Sequence, residues 1–159
     1  MAPGYGTWPN FWLLGGNPNG SGWPVTGEID VAESIGRVPN DLFATAHGFT
    51  PDATAHPPFH WQVATIHPMS KPLAAGFHTY AVDVNDNEIA WSVDGRIYQR
   101  LKRSQLQSNW VWSFNTPMHV ILSLAIGGFF AYTPPAATAF PTSMVVDYVR
   151  VVSTGAAAS

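Results

Sequence analysis

The chain has 159 residues, enough for one domain with a buried core. Seven basic against ten acidic residues give a net charge of −3, which argues against a nucleic-acid partner. There is no cysteine for a disulfide framework, and the longest apolar run, residues 120–132, falls short of the ~18 residues that span a membrane.

Fourteen glycines and fourteen prolines punctuate turns rather than helices, so the elements expected are strands. Met1 is not followed by a basic region and an apolar stretch, so no signal peptide is read there. Trp8 to Leu14 reads as a buried strand. The loop after it, residues 15–22, is Gly-rich but lacks the G-K-[ST] ending of a phosphate cradle. Asn19-Gly20-Ser21 within it is formally a glycosylation sequon and implies a surface loop. Glu28 to Glu33 is a short strand, with Leu42 to His47 as its neighbour and Asn40-Asp41 turning between them.

Residues 50–76 are rich in Pro and His and read as a long loop with at most one short strand. His56 and His60 have the spacing of a helical zinc pair, but Pro57 and Pro58 forbid the helix. Phe77 to Val84, Glu88 to Val93 and Arg96 to Arg100 form a meander, turned at 85–87 and at the hairpin dipeptide Asp94-Gly95. The basic cluster Arg96, Arg100, Lys102 and Arg103 reads as a solvated strand edge. Pro117 to Ala125 and Ser143 to Val152 are β-rich runs suited to inner strands of a sandwich. The tail, 154–159, has nothing to bury and is expected to be disordered.

The chemistry concentrates in Glu28-Ile29-Asp30-Val31-Ala32-Glu33, three carboxylates in six residues. In a strand Glu28 and Asp30 share a face, whereas Glu33, five positions on, falls on the other. One β-bulge at Val31 or Ala32 returns it, because a bulge adds a residue without adding a pleat. Like charges packed so closely raise at least one pKa, which sets an ionised carboxylate beside a protonated one. A salt-bridged or metal-bound acidic strand is the competing reading. Against it, Arg37 is the only sequence-local cation, and calcium sites favour loops.

This hexapeptide resembles the E-[ILV]-D-x-x-E signature of glycoside hydrolase family 16, in its bulged, laminarinase-type form. Trp8-Pro9-Asn10-Phe11-Trp12-Leu13-Leu14-Gly15 is similar to the family's WPAFWLLG segment. Residues 77–83 and 89–95 are similar to its FHTYAVxW and IxWYVDG strands, and residues 117–128 and 140–151 to its last two strands. The resemblance covers most of the chain. It implies an all-β jelly-roll sandwich and an endo-acting, retaining β-1,3-glucanase, with β-1,3-1,4-glucan as a further possible substrate. It implies Glu28 as nucleophile, Glu33 as general acid/base, and Asp30 between them tuning the nucleophile.

The same resemblance puts Trp23 beside the cleaved bond as a flat surface for a sugar ring. His47 matches a family histidine near the acids and is as readily structural. Trp8, with Trp12 and Trp91, reads as core or cleft wall, and Trp8 counts with Trp23 and His47 among the substrate-binding candidates. No cofactor is implied for catalysis, and Asp147 matches a position that often binds a structural calcium ion. The family has several strands before WPAFWLLG, whereas seven residues precede Trp8 here. A single catalytic domain over 1–153, short of its N-terminal strands, is therefore expected, with sheet edges open to self-association. Ser123 stands for the family's Asn, and Phe129-Phe130 for a cleft-lining Asn-Trp. The polysaccharide partner and a secreted location follow from the family. Two readings from other classes are a non-catalytic, lectin-like glucan binder and an inactive fragment.

Overall fold

The computed structural model describes residues 1–17 and 20–153, so Asn19 and the tail from 154 lie outside the described residues. Eight strands run in chain order: β1 Thr7–Gly15, β2 Glu28–Glu33, β3 Asp41–Phe49, β4 His60–Pro68, β5 Tyr80–Val84, β6 Glu88–Val93, β7 Arg96–Lys102 and β8 Met118–Ile126. One short helix, α1, covers Gly128–Ala131. The strands form two antiparallel sheets, a five-stranded one ordered β4-β3-β2-β1-β8 and a three-stranded one ordered β5-β6-β7.

Alternation decides what each sheet face does. On β3, Leu42, Ala44 and Ala46 are buried on one side, while Phe43, Thr45 and His47 face the other. Ile29, Ala44, Ala46 and Trp61 of the large sheet pack against Ile89, Trp91 and Leu101 of the small one, with Trp112 and Phe114 closing the cluster. A second cluster joins Ala32, Leu42, Leu73 and Val93. Trp91 pins the two sheets together, since its indole N–H donates to the Asp30 carbonyl at 2.9 Å. The core therefore lies on one face of the large sheet, and the opposite face is left for chemistry.

The small sheet is the meander expected. Asp94 and Gly95 both take positive φ, 50° and 76°, which suits a two-residue turn matched to strand twist. Asn85 Oδ1 accepts from the backbone N–H groups of Asn87 and Glu88, closing the other turn. The basic cluster lies on and just after the edge strand β7, where Arg100 pairs with Glu88.

Three expectations need correction. Residues 50–76 hold a full nine-residue strand, β4, whose ladder with β3 is continuous from His60 to Pro68. Its prolines stand in the preceding turn and at its last residue, where they break no interior ladder bond. The strand expected from Phe77 begins at Tyr80, and Phe77 is exposed. Residues 143–152 form no strand, and Val145, Tyr148, Val151 and Val152 are exposed. A β-rich run becomes a strand only where a neighbour completes its hydrogen bonds, and this run joins neither sheet.

Candidate active site

The open face of the large sheet carries the acids, and the bulge brings them there. Asp30 pairs with Thr45 and Glu33 with Phe43, so three steps on β2 answer two on β3. On the other side Phe11 pairs with Ala32 and Trp12 with Asp30, which leaves Val31 as the extra residue. Glu28, Asp30 and Glu33 thus share one face. Gly27 sets the entry to this strand: it takes φ +75°, and a Cβ there would stand 2.8 Å from the Ser113 carbonyl oxygen. Any larger residue would push the Glu28 backbone away.

Around the acids the same face gathers Trp8, Asn10 and Trp12 from β1, Phe43, Thr45 and His47 from β3, and His60 from β4. Asp30 lies in the middle, 1% exposed. Its Oδ1 accepts from Asn10 Nδ2 at 2.9 Å, and its Oδ2 lies 3.0 Å from His47 Nε2. Glu28 is half-buried beside Asp30, with His47 and Trp23 near enough to act on its charge. Glu33, 6% exposed, accepts from the Trp8 indole at 2.9 Å.

Two buried carboxylates flanking a third charge cannot all ionise cheaply. Burial first, and then the Asp30 charge, push Glu28 up to about 7. The same two causes, in the same order, push Glu33 up to about 8. Other neighbours oppose the shift without cancelling it: His47 and Trp23 for Glu28, and the Trp8 indole and Thr45 for Glu33. Glu33 is the more buried and holds its proton to higher pH. The site therefore contains an acid and a potential nucleophile whose environments differ, on either side of a fixed aspartate.

Glu28, Asp30 and His47 offer ligand atoms within 4.8 Å of one another, a spacing that a cation could also bridge. Here a direct hydrogen bond joins Asp30 and His47, with Glu28 beside them. Asp147 is exposed within residues 143–152, and no cluster of three or more His, Cys, Asp or Glu among the described residues includes it.

Trp23, half exposed, packs its indole on His60 with ring centroids 4.8 Å apart and lies 6.3 Å from the His47 ring. It stands at the rim with one ring face available. Trp8 forms edge contacts with Phe129 and Phe130 of α1, at 6.3 and 5.2 Å, and Phe130 meets Phe43 at 5.3 Å. Trp12 donates to Ser123 Oγ at 3.2 Å. Trp91, by contrast, lies in the core.

Sequence reasoning missed two members of this network, Asn10 and His60. Asn10 was legible in principle: it shares strand parity with Trp8 and Trp12 and stands where the resembling segment has Ala. His60 was weighed only as a zinc ligand, and nothing near it in the chain points to His47.

Comparison with known proteins agrees with this geometry. A Beta-glucanase of Rhodothermus marinus is 35% identical over 159 residues, covering 95% of this chain and 54% of that protein. A Glucan endo-1,3-beta-glucosidase A1 of Niallia circulans is 33% identical, covering 95% of this chain and 23% of that protein. The solved laminarinase catalytic domain of Thermotoga maritima superposes with a TM-score of 0.76 at 33% identity, over 89% of this chain and 56% of that one. The chain thus spans about half the length, or less, of the relatives it matches. The jelly-roll expectation stands with that superposition. The family profile "Glycosyl hydrolases family 16" matches residues 1–150, nearly the whole described chain, and the chain belongs to that family.

Proposed function

We propose that this protein is an endo-acting, retaining hydrolase of β-1,3-glucan, with Glu28 as nucleophile, Glu33 as general acid/base and Asp30 as the charge between them. The supporting observation is the bulged β2 strand, which sets three carboxyls on one face with Glu33 more buried than Glu28. Names of relatives point to β-1,3 linkages, and two of them also to mixed 1,3-1,4 linkages.

In the first half-reaction Glu28 Oε attacks the anomeric carbon and the bond to the departing glucosyl oxygen breaks. Glu33 gives that oxygen its proton. In the second, the Glu33 carboxylate takes a proton from water, whose oxygen attacks the same carbon and releases Glu28. Two inversions give net retention, and Glu33 ends protonated again. Asp30, held by Asn10 and His47, disfavours ionisation of Glu33 while the acid is needed. Its charge also lies beside Glu28, so the surroundings of the nucleophile are set before substrate arrives. Trp23 at the rim supplies a flat apolar surface for a pyranose face.

The test is reducing-end release from laminarin, with the anomeric configuration of the first-formed product read by NMR. Release of oligosaccharides of β configuration supports the reading. An α product overturns retention. Laminarin binding without cleavage favours a lectin-like glucan binder.

A further inference from the structure

His47 has two ring nitrogens, and both are engaged. Nε2 lies 3.0 Å from Asp30 Oδ2, and Nδ1 lies 2.9 Å from His60 Nε2. An ionised carboxylate only accepts, so Nε2 must carry the hydrogen that faces Asp30. A neutral His47 then has a bare Nδ1, which needs a donor. His60 Nε2 is the atom placed to supply it. We propose that His60 is a positioning residue for the catalytic carboxylates, fixing His47 in the tautomer that donates to Asp30. The proposal rests on the hydrolase reading above.

Three further observations bear on His60. It is 6% exposed, and burial first lowers its pKa from the usual histidine value. His47 faces it from β3 and the Trp23 ring packs on it. Finally, the residue that delivers it is strained. Phe59 takes φ +61°, a left-handed conformation that costs a bulky side chain roughly 1–2 kcal/mol. That turn is closed by Thr50 N–H to the Phe59 carbonyl and Phe59 N–H to the Asp52 carbonyl. Backbone held in such a conformation at the mouth of a site marks a position the surroundings over-determine.

The chain of donors therefore runs one way, from His60 to His47 to Asp30. The second Asp30 oxygen is already occupied by Asn10, so His47 alone fixes Oδ2 among the described residues. If His47 switches tautomer, its Nε2 lone pair faces the carboxylate, Asp30 swings, and both flanking glutamates lose their reference charge. His60 also forms the floor under Trp23, which ties the sugar platform to this chain of donors.

Two variants and one spectroscopic reading test this. His60→Phe keeps a flat ring under Trp23 and removes the donor, whereas His60→Gln can return an amide N–H to the same place. Ring nitrogen NMR of the ligand-free chain should show His47 protonated at Nε2 in the wild type, mixed tautomers in His60→Phe, and the Nε2 form again in His60→Gln. On laminarin, kcat of His60→Phe should fall about tenfold with KM within about twofold, the low end of what losing an outer-layer partner costs. His60→Gln should recover most of it. His47 protonated at Nδ1 in the wild type overturns the proposal, even if neither variant folds. So does an unchanged tautomer in His60→Phe, or equal losses of kcat in both variants. An inactive wild type would sink the hydrolase reading instead, leaving the ligand-free tautomer to decide this one.

Discussion

The indole N–H of Trp8 donates to Glu33 Oε1 across 2.9 Å, so the aromatic wall of the cleft is bonded to its most strongly shifted acid. This bond favours the ionised form of Glu33 and works against burial and Asp30. Trp8→Phe removes the donor while keeping a ring to meet Phe129 and Phe130. A hydrogen bond to a charged group is worth ~1.5 kcal/mol, and a pKa unit ~1.4 kcal/mol. The alkaline limb of kcat/KM should therefore move up by about one pH unit. If the limb stays where it was, Glu33 is not the group that titrates there.

Much of this site is legible in the residues because local chemistry alone decides it. Glu28 and Glu33 stand at an odd offset, so only an extra residue lets both face one side, and the pairing registers put that residue at Val31. The Asp94-Gly95 turn is equally local. The errors have another origin. Residues 143–152 have the branched and aromatic content of a strand, but pairing is a property of the neighbour, which no single segment encodes. In β4 the flanking prolines hid a strand whose Trp61 and Val63 point at the core. His60 lies 13 residues from His47, and their meeting depends on the β3–β4 register, in which His60 opposes Phe49.

Stability should fall as pH rises. The folded pKa of Glu33 is about 8, against an ordinary value of 4.5. Below 4.5 the group is neutral in both states. Between the two values the unfolded chain ionises while the folded one keeps its proton, so unfolding gains. For this one group the slope is ~1.4 kcal/mol per pH unit, or ~3–6 °C in Tm, until the folded pKa is passed. Glu33→Gln removes the titration and should flatten the Tm profile between pH 5 and 8. Calorimetry in which wild type and Glu33→Gln lose Tm in parallel would show that Glu33 is not buried as described.

Trp23→Ala should act on the ligand more than on the fold. The side chain is 47% exposed and its main ring contact is His60, so the stability loss should stay below about 1–2 kcal/mol, less than a buried Trp would cost. KM for laminarin should rise about tenfold through lost stacking. Because Trp23 also holds the Glu28 pKa down, the acid limb of the pH profile should shift upward. A variant that melts much earlier while keeping its KM would make Trp23 a core residue.

On the proposed roles Glu28 and Glu33 should fail in different ways, because those roles belong to different half-reactions. Glu28→Ala has no nucleophile and forms no glycosyl-enzyme, so hydrolysis should drop by several orders of magnitude. The vacated space lies on the attacking face, beside Asp30. Azide placed there would attack the anomeric carbon directly and give a product of inverted configuration. Glu33→Ala keeps the nucleophile and loses the proton donor. Natural glucans, whose leaving groups need a proton, should then react slowly, while an aryl glycoside with a good leaving group still glycosylates Glu28. Azide would intercept that intermediate, and two inversions would give a retained product. Asp30→Asn keeps both reacting groups, so azide should rescue nothing, and activity should fall through the lost charge and the disturbed His47 contact. Product configuration by NMR separates the cases. The swapped pattern, with inversion from Glu33→Ala and retention from Glu28→Ala, would exchange the two roles, and wild-type rates in either alanine variant would sink the carboxylate mechanism.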